Sequence, residues 1–422
     1  MTDKHRHRRD FIQNIVITVL AVSAVLLFAQ TQIYSLGSGD GFRRLFLGDA
    51  QSGISASSVQ EHALSAPVRL AVSGPYGRYG SITASIGEDE TLRGLLREVL
   101  GSTGTFTACG REDFLQSLRS TSVYFDFLSP LPLSVLADMA GTSGPVSPSA
   151  RCLTVSGQED PVSLFLWDGG DSYLRCTTAV SLKNLEQIAG QYEMGNAVFA
   201  MDLVESDPHA RELDACSLFL KETPELPSLS AETPDYSESL LLADLGFNPN
   251  TKNRYTDNGT EVISESGRSL RLRPDGNIIY QSGGDGTLSI EATGEHPTLA
   301  EATAGTGPLL NSLLEPTAGD EVLYLTGVRQ NGSRILLTFG YQVHGVPVRF
   351  SDGANAAEVT LEGTTVSTLS LRIRRYSETE SASLLLPLRQ AISIARRHAG
   401  SQLSIGYADH GGGTVDADWL AD

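Results

Sequence analysis

A basic tail carrying Lys4, Arg6, Arg8 and Arg9 is followed by no charged side chain between Asp10 and Asp40. Within that gap the run from Ile15 to Ala29 is interrupted only by Thr18 and Ser23. A helix of about 20 apolar residues spans the hydrocarbon layer of a bilayer, so residues 11–33 are expected to form one transmembrane helix. Lys and Arg concentrate on the cytoplasmic side, which places residues 1–10 inside and the rest of the chain outside. A cleaved signal peptide would need small residues at alternate positions before the cut. Leu27 stands two positions before Ala29, and Gln30, Thr31 and Gln32 follow, so a retained signal anchor is the preferred reading. The expected location is the cell membrane: single-pass, N-terminus cytoplasmic and C-terminal region extracytoplasmic.

The tail holds four basic and two acidic residues, so the formal charge of -19 for the whole chain becomes -21 without it. A surface of that sign repels phosphate backbones, and nucleic acid is excluded as a partner. Cys109, Cys152, Cys176 and Cys216 form no CxxC pair, which argues against a metal site. An oxidising exterior permits disulfides, while a large domain equally accommodates buried thiols; the sequence leaves the two open.

The pattern predicts an α+β protein with about three mixed α/β extracytoplasmic domains. Residues 34–60, rich in Gly, Ser and Gln, read as a juxtamembrane linker. Residues 61–223 read as an N-terminal α+β domain. There Leu92, Leu95, Leu96, Val99 and Leu100 share one helix face behind the acidic Glu88, Asp89 and Glu90, and a second short helix holds Phe114, Leu115 and Leu118. Strands are expected at 123–127 and 153–155, with 163–167 and 173–178 forming a hairpin around Asp168-Gly169-Gly170-Asp171. A helix over 182–189 and a strand over 197–203 follow. The Pro/Ser/Glu/Thr-rich stretch 224–235 reads as an unstructured interdomain linker.

Residues 236–296 open with a helix at Leu240–Leu245, then strands 269–273 and 278–281 joined by the Pro274-Asp275-Gly276 turn. Residues 297–422 open with a helix to Leu314, then strands at 322–329, 335–343, 346–350, 357–361 and 365–376. A helix from Pro387 to Ala399 carries Arg396, Arg397 and His398 at its negative end and stops at Gly400. A last strand covers 403–407. Both blocks run from an apolar helix to strands with a tight glycine turn and an Arg-rich strand (SLRLRPDG and SLRIRRY), the pattern of a duplicated small unit.

The search for chemistry finds no zincin motif, nucleophile elbow, P-loop or dinucleotide fingerprint. No catalytic, cofactor-binding or metal-binding residue is nominated, and the chain is not expected to be an enzyme. Asp-Gly pairs at 275–276, 285–286 and 352–353 lack the carboxylate ladder of a calcium loop and read as turns. Two features suit partner contact. Asn14, Thr18 and Ala21 share one face of the membrane helix, where association depends on close packing and buried polar contacts. Arg372 and Arg374 alternate with Leu371 and Ile373, which puts both cations on one strand face; pairing with local carboxylates is the plainer alternative for them.

The stretches LLLADLGFNPNTKNRYTDNGTEVISESGRSLRLRPDGNIIYQ (240–281) and EVLYLTGVRQNGSRILLTFGYQVHGVPVRF (321–350) resemble the central and C-terminal domains of YycH (WalH) proteins; the latter domain is also similar to YycI proteins. The resemblance covers residues 236–422 and the anchor topology, and does not extend to the cysteine-bearing block. It implies a non-enzymatic extracytoplasmic regulator that binds a membrane sensor histidine kinase of the WalK (YycG) type in a two-component system controlling cell-wall metabolism. A YycI-type protein is a further implied partner. An extracytoplasmic ligand-binding or envelope scaffold protein is the alternative.

Overall fold

The computed structural model describes residues 67–85, 89–283, 288–395, 400 and 402–421. The expected tail, membrane helix and linker over 1–60 lie outside the described residues, as do Glu88, Asp285, Gly286 and the Arg396-Arg397-His398 cluster.

A hairpin of β1 (Pro67–Gly74) and β2 (Gly77–Ser85) leads into α1 (Glu90–Gly101). The side chain of Asp89 accepts the N–H groups of Thr91 and Leu92 at 3.0 and 3.1 Å, satisfying donors that the first helical turn cannot. The chain continues through β3 (Thr107–Ala108), α2 (Arg111–Ser117), β4 (Ser122–Pro132), α3 (Leu133–Met139), β5 (Ser149–Ser156), β6 (Ser163–Trp167), β7 (Tyr173–Thr177) and α4 (Leu182–Ala189). The strands make one antiparallel sheet in the order β2-β1-β4-β5-β6-β7-β3. Successive side chains point to opposite faces. Leu70, Phe125, Leu153 and Leu164 therefore join the core that contains α1, whereas Ala71, Tyr124, Cys152 and Phe165 pack with Phe114 and Leu115 of α2. Both faces are covered, which is why β6, and β4 from Ser122 to Leu128, are buried at every position instead of at every second one.

The strand expected over 197–203 is shorter: β8 (Ala197–Phe199) pairs with β9 (Leu218–Leu220), and α5 (Ala200–Leu203) intervenes. Asp202 accepts the Phe199 N–H at 3.1 Å and turns the backbone into the helix. The expected unstructured linker is also corrected. β10 (Pro227–Glu232) buries Ser228, Leu229 and Ala231, because alternation lets a short polar stretch present two apolar side chains to one core.

Next come α6 (Glu238–Asp244), β11 (Arg254–Asp257), β12 (Thr260–Glu265), β13 (Arg268–Leu272), β14 (Asn277–Gln281) and α7 (Leu299–Leu314). β15 (Glu321–Asn331), β16 (Arg334–Val343), β17 (Val346–Phe350), β18 (Ala357–Glu362), β19 (Thr365–Arg372) and β20 (Arg375–Ala382) precede α8 (Leu388–Ala395), β21 (Leu403–Asp409), β22 (Thr414–Val415) and β23 (Ala417–Ala421). Eleven strands form one sheet, β11-β12-β13-β14-β19-β18-β16-β17-β21-β23, with β15 on the other edge of β16. The sheet branches at β16, whose residues 334–339 pair with β18 and residues 341–343 with β17. Gly340 sits at the fork, where a Cβ would stand 2.9 Å from the Tyr324 ring.

The strand expected over 365–376 breaks after Arg372. The Ile373 N–H donates to Gly276 O at 3.0 Å, drawing the backbone off the ladder, and β20 joins β10 and β22 in a three-stranded sheet. Stretches 236–296 and 297–422 share the large sheet through β14 and β19, which pair from Asn277↔Arg372 to Gln281↔Thr368. The fold class is α+β, with eight α-helices and a majority of strands among the described residues. All described residues belong to one compact unit.

One buried polar cluster ties the seven-stranded sheet to the start of β21 in the eleven-stranded one. Asp126 on β4 receives Arg151 Nε at 3.2 Å and Gln402 Nε2 at 2.9 Å, with Arg69 Nη1 at 3.8 Å, and Arg151 also donates to the Gln402 side chain. The four cysteines are free thiols, with Cys152, Cys176 and Cys216 buried.

Candidate functional site

The sequence nominated Arg372 and Arg374, and the structure puts them in one cleft of about 320 Å³. Leu371 and Ile373 point into the core and the two arginines point away from it. The cleft is made where β14 begins and β17, β19 and β21 end, with Asn277, Phe350, Asp352, Asp409 and His410 around the arginines. Turn chemistry fixes these ends: Asp275 Oδ1 accepts the Asn277 N–H at 3.1 Å, and Asp352 Oδ1 the Ala354 N–H at 3.0 Å, the local bonds by which Asp shapes turns.

The two arginines differ in kind. Arg374 has an 11% exposed side chain and grips Asp409, itself 1% exposed, through Nε at 2.9 Å and Nη2 at 3.2 Å. It also donates to Gly412 O, while Tyr376 OH donates to Asp409 at 2.7 Å. Burial alone would raise the Asp409 carboxyl, but the hydrogen bonds from Arg374 and Tyr376 overcome this and hold it below the ordinary carboxylate range. The Tyr376 hydroxyl is pushed up, first by burial and then by that carboxylate. This is a locked structural pair.

Arg372 lies over the Phe350 ring at 4.5 Å, a cation–π placement. Its Nη groups meet Asp352 at 2.7 and 3.3 Å, and Nε donates to Asn277 Oδ1 at 3.3 Å. Asp352 is 54% exposed and belongs to a turn; the Arg372 hydrogen bond holds its carboxyl below the usual range. An exposed pair of this type is worth at most about 1 kcal/mol, so an incoming carboxylate can exchange with Asp352 at little cost. The two guanidinium groups meet local carboxylates, and the cleft carries no net basic stripe. Asp352 is the turn residue that its Asp-Gly pair predicts, but neither it nor Asp409 is marked in the sequence as an arginine partner, because their positions after β17 and within β21 are distant from Arg372 and Arg374 along the chain.

Asn14, Thr18 and Ala21 lie outside the described residues. Among the described residues no group of His, Cys, Asp and Glu is placed to hold a metal ion, and no helix is long and apolar enough to cross a membrane. Comparison with protein-family models, curated proteins and solved structures returned no match.

Proposed function

We propose that this chain is a membrane-anchored, non-enzymatic extracytoplasmic regulator. It binds a sensor histidine kinase of the WalK (YycG) type and modulates two-component signalling that controls cell-wall metabolism. The observation carrying this reading is that the two stretches resembling YycH proteins, 240–281 and 321–350, build parts of a single sheet. That sheet ends in the cleft where Arg372 is held by an exchangeable carboxylate.

Recognition is divided between the membrane helix, through Asn14, Thr18 and Ala21, and the Arg372 cleft. Full-length protein purified from membranes is expected to carry the cognate kinase with it. Arg372→Glu is expected to lower that recovery by about tenfold, the loss of one charge-assisted contact, and an Arg374→Glu protein to lose folded yield instead. Absence of the kinase from the wild-type eluate, together with no signal in a membrane two-hybrid assay, would reject the reading.

A ligand-binding role is favoured by one other feature. An open cleft of about 400 Å³ between β1, β2 and α1 holds the Tyr79 and Tyr192 rings 5.1 Å apart, with Tyr192 OH donating to Asp89 at 2.6 Å.

A further inference from the structure

The outer face of the large sheet carries a trough of about 700 Å³, formed by β14, β16, β18 and β19. Its residues are brought together by strand pairing. Gln281 lies opposite Thr368, Thr368 opposite Thr360, and Thr360 opposite Leu336, so one row crosses four strands. Three inter-strand spacings make this row roughly 15 Å long. In the adjoining row Glu362 lies opposite Arg334. Val359 and Leu361 on β18, and Val366 and Leu369 on β19, are fully buried on the core side, which turns Thr360, Glu362 and Thr368 to the outer face.

Three observations give the trough its chemistry. Gln281, Thr360 and Thr368 have side chains with no hydrogen-bond partner among the described residues, and all three open into the same space. Arg334 places both Nε and Nη2 on the single oxygen Oε1 of Glu362. Glu362 Oε2 and Arg334 Nη1 thus keep their hydrogen-bonding capacity, an acceptor beside a donor at the trough's end. The ladder is also irregular here: a bulge between Thr360 and Leu361 places Ser367 out of register, and its hydroxyl donates to Thr360 O at 3.1 Å. Bulges re-aim side chains next to functional sites.

The volume falls within the range of small-ligand sites, which are ordinarily apolar with a few polar groups. This lining inverts that composition. It offers neutral donors and acceptors, a cancelled ion pair and one apolar patch at Leu336, on a chain whose formal charge is -19. A charged ligand gains nothing from a lining without net charge, and an apolar ligand would strand its hydroxyls and amide. A ligand that presents many hydroxyls along a line, with C–H surface for Leu336, satisfies every group. We infer that this trough binds a neutral, unbranched oligosaccharide, with Gln281, Thr360 and Thr368 along the chain and the Arg334–Glu362 pair gripping adjacent hydroxyls at one end.

The test is calorimetric titration of the detergent-solubilised full chain with cellopentaose, maltopentaose and penta-N-acetylchitopentaose. At least one is expected to bind. The shape-conserving double variant Thr360→Val/Thr368→Val is expected to weaken that binding by about tenfold or more, as two lost hydrogen bonds should. Glu362→Gln is expected to weaken it as well, with thermal melts unchanged for both. Arg372→Glu, outside the trough, should leave sugar binding intact, which separates this site from the kinase contact. No heat with any of the three sugars at millimolar concentration would overturn the assignment, and so would undiminished binding by the double variant. Preferential binding of a polyanionic chain over the neutral ones would overturn it too.

Discussion

Asp126 is 1% exposed and faces two guanidinium groups, so its charge is stable only because Arg151, Arg69 and Gln402 supply what water would have. Burial raises its carboxyl, and the Arg151 and Arg69 charges more than offset this, leaving it below the ordinary value. Its Oδ1 also accepts the Leu128 N–H at 2.8 Å, where Leu128 has φ of 66°, a conformation that L residues enter rarely. Removing one partner of a buried pair costs about 3–5 kcal/mol, and Asp126→Asn is expected to destabilise by that order in urea denaturation. The pH sign follows from the depressed folded value. The stabilisation is fully present above the unfolded Asp value of about 4 and is lost as pH falls through the folded one. Urea midpoints taken down an acid series should therefore drop more steeply for the wild type than for Asp126→Asn. Parallel slopes would show that Asp126 is not the group responsible. None of this cluster was legible in the sequence, because residues 69, 126, 151 and 402 have no periodic relation and meet only through strand pairing and one loop.

Elements whose cause is local were readable. Helix α1 announces itself by its leucine spacing and Asp89 cap, and the β13–β14 turn by Pro274-Asp275-Gly276. Elements whose cause is distant were not. β10 is too polar to predict as a strand until β20 and β22 flank it, and the strand through Arg374 breaks because Gly276, about a hundred residues earlier, takes the Ile373 N–H. Of the candidate site, the face shared by Arg372 and Arg374 was legible from alternation, while their carboxylate partners were not. Gly276 has φ of 81°, and a Cβ there would stand 2.7 Å from Ile373 O and from Thr233 Cγ2. Gly276→Ala is expected to cost about 1–2 kcal/mol and to displace Asn277 from Arg372. A thermal melt checks the first effect. If Gly276→Ala melts with the wild type, the clamp between the turn and the β19 end is not what holds the cleft in shape.

At the scale of the whole molecule, the last strands close structures begun much earlier. β22 pairs with β10, and β23 covers β21 through Ile405↔Trp419, with the Trp419 indole N–H donating to Leu386 O at 2.8 Å. A chain stopped after His410 loses both strands and exposes β10 and β21 as unpaired edges, which template aggregation. It is expected to appear in the insoluble fraction or to be cut rapidly in limited proteolysis; a soluble, resistant product would show that the end of the chain is dispensable. The same arrangement sets a schedule. Asp126 waits 276 residues for the Gln402 amide, and β10 waits for a partner near the chain's end. A chain that has formed every element up to α8 still lacks the amide that completes its buried charge and the second strand that flanks β10. Docking of residues 402–421 is therefore what shields both the Asp126 charge and the β10 edge.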